Sequence, residues 1–177
     1  MDISETTAPR SDQQNFDDYL GGPKTVTVSE VKKGSAEQPV EVHLVEFPGR
    51  PFKPSKSMRR VLVAAWGTDS TAYAGRRMTL YGDPDVRFGG QAVGGIRISH
   101  LSDISKTLTV ALTVTRGKRA PFTVEPLPER DWLTELADAG GDIDLIGALG
   151  TAARAAGASA EVLAVIRTAY NKAKGDN

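Results

Sequence analysis

Cations interleaved with aromatic rings are the residues of this chain with the most chemistry to offer. The stretch GRPFKPSKSMRR, Gly49 to Arg60, carries Arg50, Lys53, Lys56, Arg59 and Arg60 with no acidic residue, and Phe52 stands among them. Further on, Tyr73 and Tyr81 bracket Arg76 and Arg77, Arg87 abuts Phe88, and Arg97 follows. Arg116, Lys118 and Arg119 precede Phe122. Single-stranded nucleic acid needs this mixture. Cations follow the phosphates, and aromatic faces stack unpaired bases at roughly 1–3 kcal/mol each. Stacking is open to every base, so such a site tolerates any sequence. The candidate phosphate contacts are Lys53, Lys56, Arg59, Arg60, Arg76, Arg77, Arg87, Arg97, Arg116, Lys118 and Arg119. The candidate stacking residues are Tyr81, Phe88 and Phe122. Trp66 falls on an apolar helical stripe and reads as core.

Other chemistries fare worse. His43 sits within a strand pattern and His100 ends one, and no serine or aspartate motif accompanies either, so both read as structural. Two histidines without a cysteine make a poor zinc set. The carboxylates of Asp83-Pro84-Asp85 could hold a nuclease metal, but a turn around the proline explains them better. GGQAVGG, Gly89 to Gly95, lacks both the dinucleotide fingerprint and a Lys-Ser/Thr partner, so it is not a phosphate cradle. The expectation is a non-enzymatic protein with no cofactor and no metal.

Net charge conceals a segregation. The chain is formally neutral, with 22 Lys/Arg and 22 Asp/Glu in 177 residues. Residues 1–22 hold five acids against one base; residues 23–127 hold sixteen bases against nine acids; residues 128–177 hold eight acids against five bases. A basic centre between acidic ends points to a polyanionic partner. The acidic start of the chain can compete for the same groove.

The elements that would position these residues can be read from periodicity. Residues 1–22 are polar and acidic and read as a flexible arm. KTVTVSEV and VEVHLVEF alternate with period two and read as paired strands. After a proline-rich loop, Met58, Val61, Leu62, Ala65 and Trp66 fall on one helical face, with Ser55 or Ser57 to cap it and Gly67 to end it. RMTLYGDP reads as a strand. VRFGGQAVGGIRISHL gives two short pieces around paired glycines, and KTLTVALTVTRGKRAPFTVEPL gives two strands turning at Gly117. Five to seven short strands with one helix, and gaps too short for repeated crossover helices, predict a mainly β domain over 23–127. The best fit is a small five-stranded Greek-key barrel of the OB type with an inserted helix. Residues 128–177 turn alanine- and leucine-rich and predict a C-terminal helical hairpin. Trp132, Leu133 and Leu136 start it, Asp142 or Asp144 opens a helix, and Ser159 caps the last one.

FKPSKSMRRVLVAAWG, AYAGRRMTLYGDPDVRFGGQAVGGIRISHL and TVTRGKRAPFTVEPL also resemble a family of bacteriophage-encoded OB-fold proteins. That family is regarded as binding single-stranded DNA in phage replication and recombination. The resemblance covers roughly Lys24 to Leu127 and is most specific from Tyr73 to Leu101. It implies the fold and the substrate class, and no individual contact residue. Many bacterial single-strand binders end in an acidic tip with a terminal Phe; this chain ends NKAKGDN, so that route to partners is not expected. The partner expected is single-stranded DNA, with RNA left open, as are self-association and recruitment of replication or recombination proteins. The alternative is an interaction adaptor that binds a host or replisome protein through the C-terminal helices. Without a signal segment or an apolar run, a cytoplasmic protein is expected, in the host cell if phage-encoded, with no membrane contact.

Overall fold

The computed structural model describes residues 12–115 and 117–175, which divide into two compact units meeting between Leu127 and Pro128. In the first unit, strands β1 (Lys24–Lys33), β2 (Val40–Leu44), β3 (Arg77–Asp83), β6 (Gly95–Leu101), β7 (Leu108–Thr115) and β8 (Lys118–Pro126) form one sheet. Its order is β2-β1-β3-β6-β8-β7. Strands β4 (Arg87–Phe88) and β5 (Gln91–Ala92) form a separate two-stranded ribbon between β3 and β6. The neighbours in the large sheet are antiparallel except β6 and β8, which pair in parallel at His100↔Glu125 and Leu101↔Pro126.

Val26 and Val28, Val42 and Leu44, Met78 and Leu80, and Ile98 and Leu101 point into one buried core, as their alternation requires. Between Ile98 and Leu101 the period slips because the β3–β6 register shifts at Thr79/Leu80. The helix α1 (Lys56–Trp66) adds Met58, Val61, Leu62 and Trp66 to this core. Ser55 caps it, accepting the Met58 N–H at 3.3 Å, and Gly67 ends it at φ +87°.

The expected five-stranded barrel is therefore a six-stranded sheet with an added ribbon, and among the described residues its edge strands β2 and β7 do not pair with each other. Phe52, just before α1, bridges Val42 on β2, while α1 itself packs against β7. The chain from Phe52 through α1 thus touches both edge strands, and the apolar face of α1 joins the core of the sheet.

Residues 12–22, expected in a flexible arm, are docked instead. Gln14 and Tyr19 are buried, and the Tyr19 hydroxyl donates to Gln14 Oε1 at 3.1 Å. A 3-10 turn, Phe16–Tyr19, presses the Phe16 ring onto the backbone at Gly82 and Gly94. A Cβ at Gly82 would meet that ring at 3.0 Å, and one at Gly94 at 2.7 Å. Two aromatics spaced like a helical turn outweigh the polar composition around them. Residues 1–11 of the predicted arm lie outside the described residues.

In the second unit the expected hairpin is three helices: α2 (Trp132–Asp138), α3 (Ile143–Ala155) and α4 (Ala160–Gly175). Asp131, Asp142 and Ser159 cap them through side-chain oxygens. Ile146, Leu149, Ala153 and Ile166 form their core, and Arg130 stacks over Trp132 at 4.2 Å while pairing with Glu135. The short α2 packs on α3 and α4, so its apolar residues close the core rather than serving as a lead-in turn. No described helix is long and apolar enough to cross a membrane.

The docking of residues 12–22 is testable through Gly82. Gly82→Ala should cost about 1–3 kcal/mol by urea denaturation, because the methyl meets the Phe16 ring. In a Phe16→Ala background the same change should cost far less. An equal cost in both backgrounds would remove the ring from that position.

Candidate nucleic-acid interface

The parallel pairing of β6 with β8 determines which loops share an end of the sheet. Both strands begin at the same end, so the ribbon that precedes β6 and the turn that precedes β8 lie there together. The strand β3 runs antiparallel to β6 and finishes at that end. Arg87, Phe88, Lys118 and Arg119 thus occupy two hairpins rising from one end of one sheet. Phe88 is 82% exposed, at the ribbon tip, and Val93 beside the ribbon is also exposed. Gly89 and Gly90 make the tip, both with positive φ, and the Arg87 Nη1 donates to the Gly90 carbonyl at 3.3 Å. Lys118 and Arg119 are exposed, opposite Thr115 and Thr113 on β7.

At the base of the two hairpins, three residues from three strands meet. Tyr81 on β3 stands directly opposite Arg97 on β6, and the Arg97 guanidinium lies over the Phe122 ring of β8 at 5.4 Å. Arg97 also pairs with Asp83, Nε to Oδ2 at 2.7 Å. The pair fixes the guanidinium in place without burying it, since Arg97 remains 32% exposed. Burial raises the Tyr81 phenol above its ordinary pKa, Arg97 pulls it down and Asp83 pushes it up, so the ring stays neutral at physiological pH. Toward this end β6 and β8 share no ladder, because their pairing is confined to Leu101 and His100. A planar cation held on an aromatic ring, where the ladder between two strands has ended, offers a flat surface for a base.

The other predicted cations are distributed differently. Lys53 is turned to an internal role, its Nζ lying 3.1 Å from Glu41 and 3.9 Å from Asp12. Arg50 holds Asp18 bidentately at 2.8 and 3.0 Å and donates to the Gln13 carbonyl. Arg59 donates to the Pro54 carbonyl at 3.1 Å. Lys56 and Arg60 stay exposed on α1. Arg76 and Arg77 lie at the other end of the sheet. Arg76 stacks on Trp66 at 5.5 Å, Trp66 meets Tyr73 edge-on at 5.1 Å, and the indole N–H donates to the Ser102 carbonyl at 2.8 Å. The Arg77 N–H donates to Ser102 Oγ. This end is a structural clasp. Arg116 lies outside the described residues.

The histidines and the acidic turn also have plain surroundings. His100 Nδ1 and Ser99 Oγ share a hydrogen bond at 2.9 Å, and His43 Nε2 lies 3.6 Å from Glu41 with no hydrogen bond among the described residues. Asp83 Oδ1 accepts the Asp85 N–H at 2.9 Å, an Asx turn. Among the described residues no three acids or histidines converge as metal ligands. Sequence reasoning took Asp83 as a turn residue and missed its second role on Arg97. The signal was available, since an acid ending β3 faces the first residues of β6 across the hairpin.

Comparison with known proteins adds no identity: no family model, no curated protein and no solved structure matches the chain.

The Asp18–Arg50 pair anchors residues 12–22 to the basic loop with side chains 12% and 30% exposed. Asp18→Asn should lower stability by roughly 1–3 kcal/mol, between the values for exposed and fully buried pairs. Thermal unfolding checks this, and a change within a few tenths of a kcal/mol would mark the pair as a surface contact.

Proposed function

We propose that the first unit is a non-enzymatic, sequence-tolerant binder of single-stranded DNA. The observation that supports this most is the gathering of Arg87, Phe88, Lys118 and Arg119 at the sheet end where Tyr81, Arg97 and Phe122 meet. In this reading the strand crosses the sheet between the two hairpins. Its phosphates run along Lys118, Arg119 and Arg87, and its bases stack on Phe88, Tyr81 and the Arg97–Phe122 platform.

The topology also favours an OB-type assignment. Leaving out β2 and the ribbon, the sheet runs first, second, third, fifth, fourth strand, with α1 packed against β7. That is the strand order of a Greek-key barrel left open, and barrels of that type bind oligonucleotides on the face of their second and third strands and with their loops. Here those strands are β3 and β6. The resemblance of residues 24–127 to phage OB-fold single-strand binders points the same way and suggests a role in protecting exposed strand during replication or recombination.

Fluorescence anisotropy of labelled oligo-dT tests the reading, with matched duplex as competitor. Affinity for the single strand should be micromolar or tighter, with a log–log salt slope of about −0.7 per phosphate contacted. Phe88→Ala should cost roughly 1–3 kcal/mol of binding and leave thermal stability unchanged, since the ring is exposed. Lys118→Ala with Arg119→Ala should flatten the salt slope by about 1.4. Arg76→Ala should lower stability and leave affinity intact. No binding at low salt would overturn the proposal, and equal loss from Arg76→Ala and Phe88→Ala would overturn the assignment of the site.

A further inference from the structure

The second unit carries a groove that single-strand binding does not use. It opens between α3 and α4, with a volume of about 280 Å³, over Ile146, Leu163, Ile166 and Tyr170. Gly147 and Gly150 leave it open. A Cβ at Gly147 would come within 3.2 Å of the Tyr170 ring, and one at Gly150 within 3.4 Å of Ile166. The volume lies just under the roughly 300–1,000 Å³ of small-molecule sites, which suits one inserted side chain better than a whole ligand.

Two arginines, Arg154 on α3 and Arg167 on α4, stand on the lining of this groove. Both are exposed, and neither forms an ion pair among the described residues. Arg154 has a structural reason to be where it is, since a cation in the last turn of α3 suits the helix dipole. Arg167 stands mid-helix, where that reason fails. The Tyr170 hydroxyl, on the same lining, has no hydrogen-bond partner among the described residues and can donate one.

We propose that this groove docks a short acidic peptide segment of a partner protein, with one apolar side chain inserted between α3 and α4 and flanking carboxylates held by Arg154 and Arg167. Guanidinium forks match carboxylates two bonds at a time, so a pair of them over an apolar slot selects acids around a hydrophobic anchor. A nucleic-acid chain fits less well. Residues 128–177 hold eight acids against five bases, so a long polyanion is repelled by most of the unit, while a peptide engages only the two arginines.

The test uses the full chain and a fluorescein-labelled short synthetic peptide with a single phenylalanine flanked by one aspartate and one glutamate, the two carboxylates that the two arginines can hold. Anisotropy should report saturable binding that weakens about tenfold or more in Arg167→Glu, the loss of a charge-assisted pair. Thr151→Trp, an exposed position lining the groove, should block the peptide without touching the buried core. Replacing the peptide's phenylalanine by alanine should weaken binding to the unmodified protein. Oligo-dT affinity, measured on the same variants, should stay unchanged, so failure here is separable from failure of the single-strand reading. No binding of the peptide, or undiminished binding by both variants, would overturn the proposal. So would a loss of oligo-dT affinity in Arg167→Glu, which would make the arginine a phosphate contact.

Discussion

The first unit is organised by one short parallel ladder, His100↔Glu125 and Leu101↔Pro126. Parallel neighbours ordinarily need a long crossover, most often a helix. Here the crossover is a strand. The chain leaves Leu101, turns through residues 102–107, runs back as β7 on the outside of β8, and returns as β8. Because β7 starts where β6 ends, the connection can be short. Because β8 then starts where β6 starts, the turn before it lies at the same end as the ribbon before β6. Two residue pairs of ladder therefore decide which cations and rings become neighbours.

The two ends of the sheet do different work because of this. At the far end Ser102 is a hub. Its N–H donates to the Arg77 carbonyl, its Oγ accepts the Arg77 N–H, and its carbonyl accepts the Trp66 indole. Leu127 N–H closes onto the Leu101 carbonyl beside it. That end carries these bonds together with the helix, the Trp66–Tyr73 contact and Arg76. At the near end the β6–β8 ladder has stopped, and the gap is bridged by side chains, Arg97 over Phe122. A sheet end bridged by a cation and a ring rather than by backbone bonds is the end where the proposed stacking of a base would take place.

Local pattern was enough to read most of the elements. Met58, Val61, Leu62, Ala65 and Trp66 mark α1 because helical spacing is a property of neighbours, and Ser55 caps it. The alternation of Val26 with Val28 and of Met78 with Leu80 marks strands for the same reason. What stayed out of reach was pairing over distance. Asp18 and Arg50 lie 32 residues apart, Trp66 and Ser102 lie 36 apart, and no local period reports either contact. The docked residues 12–22 are hidden by averaging, since the five acids of residues 1–22 outweigh the two rings, Phe16 and Tyr19, that hold the segment down. Clustering in sequence also misled. Arg76 and Arg77 sit five and four residues from Tyr81, yet they lie at the start of β3 and Tyr81 near its finish, at about 3.3 Å per residue along the strand.

The basic stretch from Gly49 to Arg60 shows why charge density in a sequence is a poor measure of charge available to a ligand. Arg50 and Lys53 each face a carboxylate from residues 12–18, and Lys53 faces Glu41 as well. A phosphate approaching these cations must displace an intramolecular carboxylate that is already in place and pays no cost of association. Arg87, Lys118 and Arg119 face no such competitor among the described residues. They lie on hairpins, where a side chain loses little by turning to a phosphate. The chain's segregated charge therefore has two separate consequences. Near the amino terminus, acid meets base within the fold, and Arg50 and Lys53 of the basic stretch clamp residues 12–18, while Lys56 and Arg60 stay exposed. At the hairpins, Arg87, Lys118 and Arg119 stand without an ion pair among the described residues, beside the exposed Phe88 ring, and these are the cations that the proposed strand would meet uncompensated.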